Sequence, residues 1–256
     1  GGVAYYKSRS EDLLYSVPLS RVSGYTSVVQ NIGTLENKGW EFELSGQVVK
    51  KDNFSWTLYG NLGTVDNKMV DMPIDPITSA TTRIEPGYPI RGWYMKTYAG
   101  VNPENGNAQW YRVDPVTKER TVTENYGQAT AEWTGKSAMP TYTAGIGTQL
   151  EIGNFFAGAN LYLSGGNQVY EDWGNYIHGT TSTALLNYNS TEYVLDRWQQ
   201  PGDVTNTPKL TYSSTTASQA STRFLKDGDF IRLRDVTIGY NFKGDMLNHL
   251  DIDGLS

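Results

Sequence analysis

Between Asn37 and Val49 the sequence "NKGWEFELSGQVV" alternates: Trp40, Phe42, Leu44, Gly46 and Val48 fall on one side of an extended chain, and Glu41, Glu43, Ser45 and Gln47 on the other. The same period of two recurs in Phe54–Thr64, where Trp56, Leu58, Gly60 and Leu62 alternate with Ser55, Thr57, Tyr59 and Asn61. It recurs again in Thr141–Glu151, where Tyr142, Ala144, Ile146 and Leu150 alternate with Thr141, Thr143, Gly145 and Gln149. With Val3–Ser8, Phe155–Ser164 and Phe230–Phe242, and with the first of these stretches read as strand over Trp40–Val49, the pattern predicts an all-β chain of six strands. In the last, Ile231 and Leu233 share one parity and Val236, Ile238, Tyr240 and Phe242 the other, which requires a bulge near Arg234 and Asp235 or a change of surroundings at a rim.

The connections narrow the architecture. "KKDN" and "IGN" are short enough for tight hairpins, whereas Arg9–Gly39, Val65–Pro140 and Gly165–Asp229 are long. Short and long alternate strictly. In an antiparallel up-and-down barrel this gathers every short turn on one rim and every long loop on the other, as in outer-membrane barrels with short periplasmic turns and long extracellular loops. Soluble sandwiches have no physical reason to sort loops by length, and loops beyond ~15 residues are uncommon in compact domains unless functional. Trp40 and Trp56 fall near opposite ends of their strands, where a membrane barrel carries its two aromatic girdles and a sandwich would carry core tryptophans.

Composition is consistent with this picture: 27 Gly, 18 Tyr and 7 Trp describe a β protein rich in turns and in rings with one polar tip. A mean hydropathy of −0.50 suits strands whose every second residue is polar. No apolar run reaches the ~18 residues of a membrane-spanning helix. A formal charge of −6 without any Lys/Arg run argues against nucleic acid as a partner. The absence of cysteine removes disulfides and thiolate metal sites. The opening "GGVAYYKS" already reads as strand, so the chain is expected to be a piece of a longer barrel, which closes with eight strands or more.

Candidate chemistry is sparse. His178 and His249 lie far apart without ligands at metal spacing, and no G-x-S-x-G, Walker or dinucleotide glycine motif is present. Glu171 with Asp172, and Asp227 with Asp229, are carboxylate pairs that a glycosidase would need to hold across a cleft. "KDGD" is explained by Asp-Gly turn chemistry, and the Ser/Thr-rich "TYSSTTASQAST" is expected to be a flexible exposed loop. The expectation is no catalytic residue, no metal and no cofactor. The long loops, by contrast, are aromatic: Trp93, Tyr94, Tyr98, Trp110, Tyr111, Trp133, Trp173 and Trp198. Of these, Trp93, Tyr94, Trp110, Tyr111, Trp173 and Trp198 are the candidate contacts for a substrate or a covering partner, the alternative being anchors of loop packing.

Five segments taken together resemble the SusC/RagA family of TonB-dependent outer-membrane transporters: "NIGTLENKGWEFELSG" (31–46), "GYPIRGWYMKTYAGVNPENG" (87–106), "AMPTYTAGIGTQLEIGNFFAGANLYLSGGNQVY" (138–170), "VLDRWQQPGD" (194–203) and "LKDGDFIRLRDVTIGYNF" (225–242). The resemblance implies that residues 1–256 are part of the C-terminal β-barrel domain of a 22-stranded barrel, with Asp227–Asp229 at the outer rim and "KGDMLNHLDIDG" near a periplasmic turn. It implies a bacterial outer-membrane location, lipid around the barrel, and a plug domain and TonB box supplied by segments outside this chain. It also implies a SusD-like surface lipoprotein as lid, and import of a glycan or peptide without chemistry on the cargo. Asn102 departs from the Asp that the family often has before "PENG". The alternative function is a secreted, soluble β-sandwich that binds or hydrolyses carbohydrate.

Overall fold

A computed structural model describes residues 1–20, 22, 24–181, 188–212 and 214–242. Six strands form one continuous antiparallel sheet in chain order: β1 (Gly2–Ser10), β2 (Thr34–Lys51), β3 (Phe54–Thr64), β4 (Tyr142–Ile152), β5 (Phe155–Gly165) and β6 (Phe230–Tyr240). These are the six segments that alternation predicts. β2 begins at Thr34 rather than Trp40, because its upper half pairs with β1 on one side and with Asp66–Asp71 on the other. The two short turns lie side by side on one rim, where the Gly153 amide donates to the Asn53 carbonyl at 2.9 Å.

Register sorts the side chains into two faces. On one, Val3 is opposite Phe42, Phe42 opposite Leu62, Ile146 opposite Gly60 and Leu161, and Leu161 opposite Leu233. This face is apolar yet uncovered: Val3, Leu44, Ile146, Ile231 and Ile238 are 67, 73, 50, 70 and 78% exposed. Among the described residues no second sheet packs on it, which removes the structural basis of the sandwich alternative. The opposite face carries Glu41, Glu43, Gln47, Thr57, Asn61, Gln149, Asn160 and Asp235.

The parity change in β6 is a bulge. Asp235 is opposite Asn160 and Leu233 opposite Leu161, so Arg234 is the extra residue. The bulge returns Ile231, Leu233, Val236 and Ile238 to the same apolar face. A second register shift, between Gln47 and Val49, places Val49 rather than Val48 opposite Trp56.

Aromatic rings concentrate at two levels. Trp40 packs on Tyr5 and Phe42 at centroid distances of 5.0 and 6.2 Å toward the long-loop rim, and Phe155, Tyr240 and Phe242 cluster at 4.6 and 4.8 Å toward the short-turn rim. Trp56 belongs to the lower level and donates its Nε1–H to Thr148 Oγ1 at 2.9 Å, satisfying a polar group on the apolar face. From Trp40 to Val49, the partner of Trp56, the strand extends about 30 Å at ~3.3 Å per residue, or about 23 Å across once tilted by ~40°.

On the polar face, Gly147 leaves a notch. A Cβ there would lie 2.1 Å from the Tyr59 ring, so only glycine lets Tyr59 cross β4 and donate its hydroxyl to Asn160 Oδ1 on β5 at 2.7 Å. Asn160 Nδ2 donates onward to Asp235 on β6 at 2.9 Å.

Buried cores sit beyond the long-loop rim, not behind the sheet. Ile32, Met69 and Ile84 form one, joined by Leu35, Met72 and Ile90. At its base Gly33 adopts φ +116°, and a Cβ would meet the Asp71 carbonyl at 2.0 Å, so both the turn and the close strand approach require glycine. Ala108, Trp110 and Ala129 form the other core, joined by Tyr98, Tyr126 and Ala217.

Candidate substrate-contact site in the outer loops

The two longest loops, 65–140 and 166–229, are packed into each other. The Tyr98 amide donates to Thr222 Oγ1 and its hydroxyl to the Asn206 carbonyl, at 2.9 and 3.0 Å. Trp93 Nε1 donates to the Gln168 carbonyl at 2.9 Å, and Trp198 Nε1 to the Pro103 carbonyl at 3.0 Å. These are tertiary hydrogen bonds between loops, and those of the Tyr98 amide and the Trp93 indole saturate polar groups in partly buried surroundings.

The six aromatic candidates accordingly separate by position. Trp110 is 1% exposed, edge-on to Tyr126 and Tyr98 at 5.3 and 6.2 Å, and Trp93 is 9% exposed against Tyr170. Both rings are committed to loop packing in this conformation. Tyr94 is half-buried between Trp133 at 5.4 Å and the Arg83 guanidinium at 5.0 Å. Tyr111 lies under the Arg120 guanidinium at 4.0 Å, and Arg120 pairs with Glu132 at 3.0 Å. Trp198 is half-buried over Gly106. Trp173 alone of the six is open to solvent, 63% exposed.

Trp173 is joined by two rings that sequence alone does not single out. Tyr176 and Tyr188 lie 5.8 and 6.2 Å from it and 5.3 Å from each other, and are 37 and 41% exposed. The short helix Gly174–Ile177 places Tyr176 three positions after Trp173, a helical spacing that hints at contact; Tyr188 arrives from a distant part of the loop.

Glu171, Asp227, Asp229 and His178 are spent on structure. His178, 7% exposed, has Nδ1 2.6 Å from Thr191 Oγ1 and Nε2 2.7 Å from Glu171 Oε1. His249 and "KGDMLNHLDIDG" lie outside the described residues. Asp229 accepts from the Gly166 amide at 2.7 Å and from the Tyr142 hydroxyl at 3.2 Å, and Asp227 accepts from the Asp229 amide at 3.2 Å, the turn chemistry expected of "KDGD". The Ser/Thr-rich segment, expected to be flexible and exposed, is packed instead: Ser221 is 1% exposed, Ala217 lies on the Trp110 core, and Thr222 holds Tyr98. Hydroxyl composition misled there, because small hydroxyl side chains also fit between packed loops, and Thr222 serves as a hydrogen-bond partner across them.

At the tip of the first loop, Glu124 accepts from the side-chain amides of Asn102, Asn107 and Asn105 at 2.6, 2.7 and 3.0 Å. Asn102 Oδ1 and Asn105 Oδ1 are occupied by the amides of Glu104 and Asn107, which turns their NH2 groups toward the carboxylate. Desolvation pushes Glu124 up, but the amide donors of Asn107, Asn102 and Asn105 outweigh it and hold the carboxyl below its ordinary value.

Two clefts open between the loops. One, of about 540 Å3, is lined by Arg120, Glu132, Trp133, Lys136 and Gln168. The other, of about 450 Å3, is lined by Tyr98, His178, Tyr193, Asp196, Arg223 and Lys226. Desolvation pushes the Tyr98 phenol up to about 12 and lowers the Arg223 guanidinium, the nearby Arg223 and Tyr98 respectively opposing each shift.

One antiparallel sheet with an uncovered apolar face, a polar reverse face and packed long loops on a single rim is the build of a transmembrane β-barrel wall. No family model matches the chain. It is similar to TonB-dependent receptor P39 of Formosa agariphila, 23% identical over 288 residues covering 96% of this chain and 28% of the relative. Receptor P3 of the same organism is 27% identical over 93% of this chain and 25% of its own. TonB-dependent receptor SusC of Bacteroides thetaiotaomicron is 23% identical over 95% and 24%. Among solved structures, the RagAB peptide transporter matches with a TM-score of 0.82 at 22% identity, over 94% of this chain and 27% of that one. The RagAB importer in its open-open state matches at 0.78, 23%, 96% and 26%. The resemblance to the SusC/RagA family of TonB-dependent receptors thus holds in sequence and in fold, and the chain spans about a quarter of the length of these relatives.

Proposed function

We propose that this chain supplies wall and outer loops to a bacterial outer-membrane importer of nutrient oligomers, glycan or peptide, energised through TonB and paired with a SusD-like surface lipoprotein. The observation that carries the reading is the pairing of an exposed apolar sheet face with an interlocked loop assembly on one rim. Lipid is the solvent for the first, and the loops are placed to meet cargo and lid. The wall's part is passive: a polar lining on one side and lipid contact on the other, with no chemistry on the cargo. A plug and a TonB-contacting segment would come from the remainder of the receptor.

Trp173, Tyr176 and Tyr188 form the surface best suited to contact, since exposed rings offer apolar area to sugar faces, peptide side chains or a lid at low entropic cost. The test uses the full-length receptor in its outer membrane. Trp173→Ala combined with Tyr188→Ala is expected to reduce uptake of labelled oligomer or co-purification of the lipoprotein several-fold, at unchanged receptor abundance. Unchanged uptake and unchanged lid association would remove the aromatic cluster from the pathway.

A further inference from the structure

The cleft of about 450 Å3 holds a cation that forms no ion pair among the described residues. Arg223 donates to two neutral carbonyls, those of Ala217 and His178, at 2.9 and 3.2 Å. Two carbonyl bonds leave much of the five-donor fork unused, and a desolvated guanidinium without an anion is costly to keep. Tyr98 and Phe224 lie against the guanidinium at 5.8 and 5.2 Å, which fixes its plane without neutralising it.

The surroundings specify the missing anion. Lys226 lines the same cleft, with Nζ over the Tyr193 ring at 5.4 Å and only loosely paired with Glu171 at 3.8 Å, whose other oxygen is held by His178. Asp196 also lines the cleft, and its side chain forms no ion pair among the described residues. With Asp196 in the cleft and Glu171 3.8 Å from Lys226, the two cations face two carboxylates, which disfavours a dense polyanion and leaves the unpaired Arg223 fork as the group that selects a single carboxylate. A planar guanidinium fork matches a carboxylate in two parallel hydrogen bonds, whereas neutral hydroxyls would leave the charge uncompensated.

We propose that this cleft is a carboxylate subsite for the cargo, with Arg223 as anchor and Lys226 as steering charge. The inference rests on the import reading and narrows it: the cargo is an oligomer that carries carboxylates, from uronic acids or from a peptide.

Binding to the purified full-length receptor in detergent, measured by calorimetry, tests the subsite apart from transport. The probes are tetragalacturonate, an acidic tetrapeptide and neutral maltotetraose. At least one acidic probe is expected to bind more tightly than maltotetraose, and Arg223→Gln to weaken it by about tenfold or more, the scale of a lost charged hydrogen-bond pair. Lys226→Met is expected to weaken the same probe several-fold and flatten its salt dependence. A response from tetragalacturonate alone assigns uronates, and a response from the peptide alone assigns peptides. Should Arg223→Gln fail to fold, the exposed Lys226 carries the test. Equal binding of maltotetraose, no acidic probe binding, or acidic affinity and salt dependence unchanged in Lys226→Met overturns the subsite. Uptake of an acidic oligomer unaffected by either variant would overturn it while leaving import intact; acidic binding without any uptake would do the reverse.

Discussion

At Glu124, three asparagine amides hold one carboxylate, and Asx turns at Asn102 and Asn105 fix which way two of those amides point. Because the folded carboxyl titrates below its ordinary value, its contribution is present above the ordinary carboxylate range and is lost as pH falls through the lowered folded value. Amide hydrogen exchange in residues 102–107 is therefore expected to speed up in acid beyond its intrinsic pH dependence, and Glu124→Gln to abolish that extra response. An unmodified protein whose corrected exchange there is flat down to pH 3 would contradict the assignment. Asn102 could be noticed in the sequence as a departure before "PENG", but its partner Glu124 lies across the loop and no local pattern pairs them. Loop rings share this problem. Trp110 and Trp173 have equal claims by residue type, and only tertiary packing buries one and exposes the other.

Elements were far more legible than sites, because alternation over ten residues between unlike solvents is a long signal. All six wall strands could be read this way, and the upper end of β2 could not, since Thr34–Gly39 is buried or half-buried at every position and shows no two-sided solvent contrast. The short strands in the loops, such as Arg83–Ile84 and Tyr98–Val101, are too brief to display a period. In β6 the parity change marks Arg234 as the bulged residue. Deleting Arg234 makes Ile231, Leu233, Val236 and Ile238 alternate without interruption, so the apolar face is kept with no bulge, whereas deleting Thr237, where the ladder holds no extra residue, turns Ile238 and Tyr240 to the polar face. The full-length receptor lacking Arg234 is expected to keep its heat-modifiable folded band in gel electrophoresis, and the receptor lacking Thr237 to lose it. Loss of the band in the Arg234 deletion, or a band of normal intensity in the Thr237 deletion, would show that side-chain parity does not set the faces of β6.

For the whole molecule, the apolar face ought to behave as a depth gauge. Ile146 lies midway along the wall and Ile152 at the short-turn rim. Arg at a bilayer midplane costs about 2–4 kcal/mol and nearly nothing at an interface. Ile146→Arg is expected to lower unfolding stability in liposomes by that amount and Ile152→Arg by less than ~1 kcal/mol. Equal effects at the two positions would remove lipid as the solvent of this face. The tie from Tyr59 over Gly147 to Asn160 acts at the same scale. A slide of β3 or β5 by two residues would preserve inside and outside and restore the backbone ladder, so neither hydropathy nor backbone pairing opposes it. The phenol hydroxyl does, since it reaches Asn160 only when the glycine lies beneath its ring. In a closed barrel the stagger between neighbouring strands accumulates around the circumference into the shear, and shear with strand number sets tilt and diameter. A single hydrogen bond between non-adjacent strands thereby helps to set the calibre of the pore.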